Sequence, residues 1–504
     1  MTTSHREVER KFRVTGSFVL PDLGSMPGVA RVEVRPTFTM SNVYYDTPDL
    51  RLFRWGITLR RREGGPDEGW HLKLPVQGAG EGVRDEVRAP LSDSLPDALA
   101  RLVRPFARSA PLGPVAALQT ERTPRILVTP DGAEPLEIVD DTVSVLDGDR
   151  IATRFREIEA EALPADDGWI DEELLPRVSD VLLAAGAVPG TMSKAGAALG
   201  PRAAVPPDVA EIPWPESTAP AGDVVTAYLA LHCRRLLLAD LLLRRDLPDA
   251  VHQMRVSARR LRSGLKVFEP LIDEEWARNL RTELGWMASG LGAARDTEVL
   301  RERLDAHASE LGEDDAALAR SVIDTSLARR MAAAEDEVRA VVDSDRYVAL
   351  LETLVDGVRR PPLTERASEP AVTALPPLVV KAFRRLERRV KGLELKTPSP
   401  VWHEARIAAK RARYSADAVA PVLGHDIARL ADRLADVTEV LGHHQDAHVA
   451  QSTLRELVAD ADPDAAFTLG RLLAVEESAE MADRAAFLDL WPSVRRTAHR
   501  AGIA

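Results

Sequence analysis

Glu7-Val8-Glu9-Arg10-Lys11, close to the start of the chain, alternates two carboxylates and an ammonium with residues of other character. On a β-strand, side chains two apart share a face at a spacing of about 7 Å, so Glu7, Glu9 and Lys11 are expected to line one surface. That surface suits a divalent cation beside an anion, because Mg²⁺ prefers carboxylate oxygen and commonly binds through one or two carboxylates together with phosphates. Phe155-Arg156-Glu157-Ile158-Glu159-Ala160-Glu161 repeats the alternation of carboxylates late in the same region.

Between these two acidic runs the strands turn cationic. Leu59-Arg60-Arg61-Arg62 puts Arg60 and Arg62 on one face, Trp70-His71-Leu72-Lys73-Leu74 offers Lys73, and Arg84 shares a face with Glu86. Arg122 and Arg125 follow, and Ser193-Lys194 closes the series. Any one such strand is the ordinary alternation of a half-buried sheet. The series says more, because a barrel would gather it into a ring with an acidic wall for metals and a basic wall for phosphates. Such an interior repels itself without a ligand, a cost expected at a functional site.

Working outward, the first two hundred residues read as short alternating runs broken by Gly, Pro and Asp, such as Gly56 to Arg62, Gly69 to Leu74 and Leu136 to Val145. A helical segment is expected near Ser94 to Pro105, and the whole predicts an antiparallel barrel or sandwich over residues 1–200. Residues 201–222 are expected to be a linker, since Pro201 to Pro220 holds six prolines and no helical period. From 223 to 504 long amphipathic segments predict an all-α region.

The helical region repeats internally. His252-x-x-Arg255-x-x-x-Arg259-Arg260-x-Arg262 recurs as His403-x-x-Arg406-x-x-x-Lys410-Arg411-x-Arg413. Leu291-Gly-Ala-Ala-Arg-Asp296 is echoed by Leu441-Gly-His-His-Gln-Asp446, and Val224-Val-Thr-Ala-Tyr228 by Val379-Val-Lys-Ala-Phe383. Matched blocks in one order indicate duplication, and two pseudo-symmetric helical bundles are the expected structure. On a helical wheel His252, Arg255, Arg259, Arg262 and Lys266 fall within an arc of about 80°, with Met254, Leu261, Leu265 and Phe268 opposite. No carboxylate interrupts the stretch from His252 to Lys266, so the cationic face has no local acidic relief. The second copy adds Ala405, Ala409, Ala412 and Ala416 as a small-residue face for close packing. A further basic run comprises Lys381, Arg384, Arg385, Arg388, Arg389 and Lys391, relieved by Glu387.

Composition sets the outer bounds. The 504 residues are 45% hydrophobic and 29% charged, with a formal net charge of −13. That charge argues against general nucleic-acid coating. The single Cys233 allows no internal disulfide and no thiolate metal cluster, and reads as core. The apolar run Leu236 to Leu243 is broken by Asp240 and is too short to span a bilayer. Without the apolar core of a signal peptide at the start, a cytoplasmic location is expected. The histidine spacings do not match the His-Glu-x-x-His zinc pattern.

Glu7-x-Glu9-x-Lys11, Tyr44-Tyr45-Asp46-Thr-Pro, Leu59-Arg60-x-Arg62, Leu72-Lys73 and Glu157-Ile-Glu159-x-Glu161, in this order, resemble the CYTH family, or triphosphate tunnel metalloenzymes. The resemblance implies an eight-stranded antiparallel tunnel that binds a triphosphate with Mg²⁺ or Mn²⁺. It makes Glu7, Glu9, Glu159 and Glu161 expected metal ligands, together with one of Asp140 and Asp141; Glu157, Glu7, Glu9 and Lys11 are the expected catalytic residues. Lys11, Arg60, Arg62, Lys73, Arg84, Arg122, Arg125 and Lys194 are the expected phosphate contacts.

The two His-Arg blocks, with Leu-Gly-x-x-Arg/Gln-Asp, resemble the CHAD family, a conserved-histidine α-helical domain associated with polyphosphate binding in a basic pore. That resemblance implies polyphosphate contacts from His252, Arg255, Arg259, Arg260, Arg262, Lys266, His403, Arg406, Lys410, Arg411 and Arg413, and association with polyphosphate granules. Few aromatics accompany these cations, which disfavours sequence-specific nucleic-acid binding, and no membrane role is expected. Together the resemblances imply an α+β multidomain protein that hydrolyses inorganic triphosphate or short polyphosphate. The competing readings are a non-catalytic polyphosphate adaptor, a class IV adenylate cyclase and a thiamine triphosphatase.

Overall fold

The computed structural model describes residues 2–80, 82–163, 173–190 and 192–504, and the chain divides into two compact units, Met1–Asp208 and Val209–Ala504. Unit 1 carries β1 (Thr3–Val14), β2 (Arg31–Val34), β3 (Phe38–Asp46), β4 (Thr58–Glu63), β5 (Gly69–Pro75), β6 (Val83–Ala89), β7 (Gly113–Val128), β8 (Leu136–Asp147), β9 (Arg150–Ala162) and the short β10 (Val188–Pro189). Its helices are α1 (Arg51–Arg54), α2 (Asp97–Ala107), α3 (Leu174–Ala184) and α4 (Lys194–Leu199).

The strands run β1-β6-β5-β4-β3-β7-β8-β9, and β9 pairs back to β1, so an eight-stranded antiparallel barrel closes on itself. Strand β1 makes the closure by changing neighbours: Thr3 to Val8 pair with β6, and Val8 to Val14 pair with β9. At that junction Gly82, at φ +85°, lets the start of β6 approach so closely that an added Cβ would lie 2.1 Å from the Glu9 carbonyl oxygen. Closure leaves no open sheet edge and commits alternate residues of each strand to the inside.

Outside the barrel, Phe12, Leu127, Leu136, Ile138, Ile158, Ala160 and Ala162 pack under Leu174, Leu175, Val178 and Leu182 of α3. On the inner face, a second apolar group, Tyr44, Leu118, Val143 and Val145, packs against Ala195 of α4. Asp46 of the Tyr-Tyr-Asp-Thr-Pro run accepts hydrogen bonds from the Thr47, Leu52 and Phe53 amides at 2.6, 2.9 and 2.8 Å. It therefore shapes the turn into α1.

The proline-rich stretch is more tightly held than a free linker. Trp55 donates to buried Asp208 at 2.8 Å and Arg108 pairs with the same carboxylate, while Arg54 donates to the Pro206 carbonyl. Further on, the Ala371 and Val372 amides donate to the Ala219 and Ser217 carbonyls, which fastens that segment within unit 2. Prolines remove helical hydrogen bonds but leave the carbonyls free to accept, and the structure uses them.

Unit 2 comprises α5 (Ala221–Arg244), α6 (Ala250–Val267), α7 (Glu274–Gly290), α8 (Gly292–Ala308), α9 (Glu313–Val342), α10 (Asp345–Arg359), α11 (Ala371–Ala374), α12 (Pro376–Val390), α13 (Ser399–Leu423), α14 (His425–Asp460) and α15 (Pro463–Arg500). The repeated blocks fall on α5 and α12, then α6 and α13, with α6 packed on α13. Met254, Leu261, Leu265 and Phe268 are fully buried, as are Ala405, Ala409, Ala412 and Ala416. Leu300, Leu304, Ile323, Leu327, Leu454 and Leu472 form one of its cores, across α8, α9, α14 and α15. Cys233 is buried on α5. Among the described residues no helix is long and apolar enough to cross a membrane.

Candidate functional site

Antiparallel pairing puts directly opposed residues on the same side of a sheet, so the barrel's register dictates its interior. Glu7 opposes Arg84, Glu9 opposes Glu161, and Lys11 opposes Glu159. Arg60 opposes Tyr44 and His71, while Arg122 opposes Asp141, which in turn opposes Glu157. The interior encloses a cavity of about 960 Å³ lined by Glu7, Glu9, Lys11, Arg60, Arg62, Lys73, Arg84, Arg122, Glu159, Glu161 and Lys194, among others. The sequence-predicted acids and bases thus converge in one space.

They converge as an ion-pair lattice. Lys73 donates to Glu7; Lys11 donates to Glu159 at 2.6 Å and pairs with Glu9 at 2.8 Å. Arg122 forks onto Asp141 at 2.9 and 2.7 Å and reaches Glu159 at 3.0 Å. Burial opposes ionisation of Glu159, yet Lys11, Lys194, Arg122 and Lys73 hold its carboxyl well below the usual range. Burial likewise opposes the charge on Lys11, and Glu159, Glu9 and Glu157 more than offset it.

Three groups depart from this balance. Burial, reinforced by Glu7, Glu9 and Glu159, pushes the Glu161 carboxyl up to about 8. Among the described residues, no ion pair reaches Glu161 and no hydrogen bond reaches the buried second oxygen of Glu7. The Arg60 Nε–H is buried with no acceptor among them either. Orphaned buried polar groups cost free energy, so a bare carboxylate oxygen and a bare guanidinium N–H in one cavity fit a cation and an anion. Glu7, Glu9 and Glu161 supply hard oxygen donors that suit Mg²⁺ or Mn²⁺. Asp141, Glu157 and Glu159 also place ligand oxygens within 4.8 Å of one another, a spacing that could hold a metal ion.

Some expected residues sit elsewhere. Asp140 opposes Ile158 and so faces the outer side, where both its oxygens accept from Arg156 at 2.8 Å. Arg125 opposes Ile138 on that same side and lies 3.8 Å from Asp140, off the cavity. The one-residue alternation therefore selects Asp141, which is fully buried inside. Glu157 is inward but lies behind the Lys194 ammonium instead of on the cavity wall. Lys194, expected on phosphate, is engaged with Asp141, Glu157 and Glu159.

Two inward acids lie outside the expected set of site residues. Asp67, in the loop between β4 and β5, pairs with Arg62, whose guanidinium also donates to Asn42 at 3.0 Å. Glu86, 1% exposed, bonds His71 at 3.0 Å and Arg88, and lies 3.6 Å from Arg60. The alternation Arg84-x-Glu86-x-Arg88 is a signal for Glu86; Asp67 follows Gly64-Gly65-Pro66 and has no strand pattern to point to it.

In unit 2 the repeat brings α6 and α13 into contact and sorts their cations. Arg255, Arg259, Arg406 and Lys410 are close enough that each of the first three depresses the Lys410 ammonium, which burial and then Arg406 and Arg259 push down to about 8. Arg255 donates to the Gly292 carbonyl at 2.6 Å and Asp296 at 3.0 Å, and the Arg406 Nε–H is buried without an acceptor among the described residues. His252 faces the Arg255, Arg259 and Arg295 charges, and the Nδ1–H of exposed His403 donates to the Gln445 amide oxygen at 2.6 Å.

Other expected polyphosphate contacts have protein partners. Arg260 pairs with Asp417 and lies 4.9 Å over the Tyr414 ring, and Arg413 reaches the same Asp417 at 3.5 Å and Thr438 at 2.8 Å. Arg260 braces α6 against α13, and Arg413 ties α13 to α14. Lys266 pairs with Glu269 at 2.6 Å, Arg262 packs beside Gly285, and exposed Arg411 faces Arg385 and Arg281. For Arg255 and Arg260 the acidic relief missing within the α6 sequence comes from other helices, which helical spacing does not reveal.

Residues 5–182 match the CYTH domain family and residues 227–455 the CHAD domain family. Uncharacterized protein MT2285 of Mycobacterium tuberculosis (strain CDC 1551 / Oshkosh) and Uncharacterized protein Rv2226 of strain ATCC 25618 / H37Rv are each 35% identical over 514 residues, spanning 95% of this chain and 94% of theirs. Among solved structures, PptA from Streptomyces chartreusis is 27% identical and covers 54% of this chain and 100% of its own, with a TM-score of 0.47. The CHAD domain from the plant Ricinus communis is 24% identical over 55% of this chain and 93% of its own, with a TM-score of 0.44. With a closed antiparallel barrel followed by a duplicated helical region, and with both domain matches in that order, the chain belongs to the family in which a CYTH domain precedes a CHAD domain.

Proposed function

We propose that unit 1 is a metal-dependent hydrolase of inorganic triphosphate or short polyphosphate and that unit 2 binds longer polyphosphate. The domain matches support a function on triphosphate or polyphosphate. The observation that carries the reading further is the pairing of opposites in one cavity, the unpartnered Arg60 Nε–H and the unpartnered Glu7 oxygen. A small polyanion with a divalent counterion satisfies both.

Phosphoryl transfer asks for positioning and charge neutralisation more than for a covalent nucleophile. Arg60, Arg62 and Arg84 would bind and orient the phosphate chain, and their fixed charges would stabilise the leaving phosphate. Lys73 pairs with Glu7, and Lys11 pairs with Glu9 and helps to hold its carboxyl below the usual range. A divalent cation held by Glu7, Glu9 and Glu161 would supply Lewis-acid neutralisation of phosphate oxygens. The barrel wall limits the entry of bulk water, which strengthens each of these contacts.

The test is phosphate release by the full chain from inorganic triphosphate, longer polyphosphate, ATP and thiamine triphosphate, each with Mg²⁺ or Mn²⁺. Release is expected to be greatest from inorganic triphosphate or short polyphosphate, and Arg60→Ala is expected to lower kcat/KM by about 100-fold or more. A flat panel with both metals, or cyclic AMP from ATP as the dominant product, overturns the hydrolase reading. For unit 2, loss of polyphosphate retention in Arg255→Ala with Arg406→Ala is expected; unchanged retention overturns that assignment.

A further inference from the structure

The most densely compensated acidic cluster in the barrel is Asp141 on β8 with Glu157 and Glu159 on β9. Its oxygens are spaced for a metal ion, yet the Lys194 ammonium already stands among them, 2.9 Å from Asp141, 2.7 Å from Glu157 and 2.8 Å from Glu159. All three are ion-pair distances, so one fixed positive charge sits among three carboxylates. Arg122 adds a second fixed cation against Asp141 and Glu159.

We propose that Lys194 is the built-in cation of the Asp141–Glu157–Glu159 triad and that it restricts the barrel to one exchangeable divalent ion, at Glu7, Glu9 and Glu161. The inference rests on the reading that the barrel takes a divalent cation, and it deepens that reading by fixing where and how many.

Lys194 is not a loose tether. It is the first residue of α4, whose Ser193 cap accepts from the Gly196 amide at 3.1 Å, and Ala195 beside it is packed among Tyr44, Leu118, Val143 and Val145. Packing thus aims the buried side chain at the triad. A divalent ion entering there would have to expel an ammonium paired with three carboxylates, and the displaced charge would remain in a buried space. At Glu7, Glu9 and Glu161 no single cation stands among the three: Lys73 pairs with Glu7, Lys11 pairs with Glu9 at 2.8 Å, and Glu161 has no ion pair among the described residues. The same barrel therefore contains one acidic cluster with a cation of its own chain at its centre and one in which a carboxyl group is left without a counter-charge. A fixed single charge in place of an exchangeable double charge also keeps part of the interior neutralised when metal is scarce.

Mn²⁺ titration of the metal-free full chain, with free Mn²⁺ read by electron paramagnetic resonance, tests this. One tightly held ion is expected for the wild type, lost in Glu9→Gln. Lys194→Met is expected to hold two, of which one survives in the Glu9→Gln, Lys194→Met double variant, and Lys194→Arg to hold one. Lys194→Met is further expected to melt lower than wild type in chelator and to recover more on adding Mn²⁺. Asp141→Asn, which keeps Lys194, is expected to hold one ion, and this keeps the inference testable should Lys194→Met fail to fold. Two ions in the wild type, an unchanged count in folded Lys194→Met, or loss of the ion in Asp141→Asn overturns the inference while leaving a metal in the barrel. No tightly held ion in any variant overturns both this inference and the metal-dependent reading.

Discussion

Glu9 on β1 and Glu161 on β9 are direct partners across the seam that closes the barrel. Like charges directly opposed on neighbouring strands destabilise a sheet. Lys11 relieves Glu9 at 2.8 Å, whereas Glu161 has no ion pair among the described residues and its carboxyl is pushed up to about 8 by burial and by Glu7, Glu9 and Glu159. Glu161→Gln is therefore expected to stabilise the metal-free protein, by about 1–2 kcal/mol, and to remove most of the stabilisation that added Mn²⁺ confers. Thermal unfolding in chelator and in Mn²⁺ measures both effects.

Adjacent residues on β8 should behave very differently. Asp140→Asn weakens the outward bidentate contact with Arg156, whose pair is partly solvated, and is expected to cost about 1 kcal/mol or less with triphosphate turnover near wild type. Asp141→Asn leaves Arg122 and Lys194 short of a buried counter-charge and is expected to cost about 3 kcal/mol and to lower turnover. Urea unfolding and phosphate release on the two variants decide it; equal effects would remove the inward assignment of Asp141.

Arg260 and Arg255 lie on the same helix but should separate stability from binding. Arg260→Ala removes the Asp417 ion pair and the contact over the Tyr414 ring at 4.9 Å, so a loss of about 1–3 kcal/mol in unit 2 is expected. Arg255→Ala removes a partly exposed side chain from the cationic patch, so polyphosphate affinity should fall more than the melting temperature does. Calorimetry and polyphosphate binding on each variant provide the comparison.

Lys410 carries a pH dependence of defined sign. It shares α13 with Arg406 and faces Arg255 and Arg259 of α6 and Asp446 of α14; burial and then the Arg406 and Arg259 charges push its ammonium down to about 8. A bound polyanion favours the charged form, so polyphosphate affinity is expected to fall by roughly tenfold between pH 7 and 9, and Lys410→Arg to flatten that fall. Because the folded pKa lies below the unfolded one, the charge is a strain on the fold below pH about 8, and its relief adds stability as pH rises from about 8 toward about 10.5. Binding isotherms and unfolding curves across that range check both signs.

Much of this protein was legible because its signals are local and periodic. Alternation at a period of two placed Glu7, Glu9 and Lys11 on one face, and the recurrence at Glu157, Glu159 and Glu161 marked the strand that closes against it. Helical spacing separated the buried Met254 and Leu261 from the cationic Arg255 and Arg259, and the paired His-Arg blocks announced a duplicated helical region. Strand period, helix period and repeat order are properties of the chain itself, so the barrel-then-helices architecture and the conjunction of carboxylates with arginines followed from sequence.

Only the tertiary structure decided which of these charges stays available. Whether Asp140 or Asp141 points inward depends on the register of β8 against β9, and a one-residue difference exchanges the two faces. Arg260 meets Asp417, Arg255 meets Asp296, and Lys194 meets the triad through contacts between separate elements of the chain. Coulombic pairing depends on distance in space, not on separation in sequence. The sequence by itself thus determined the inventory of acids and bases and the elements that carry them, while folding determined which are neutralised by the protein and which atoms, like the second Glu7 oxygen and the Arg60 Nε–H, find no hydrogen-bond partner among the described residues.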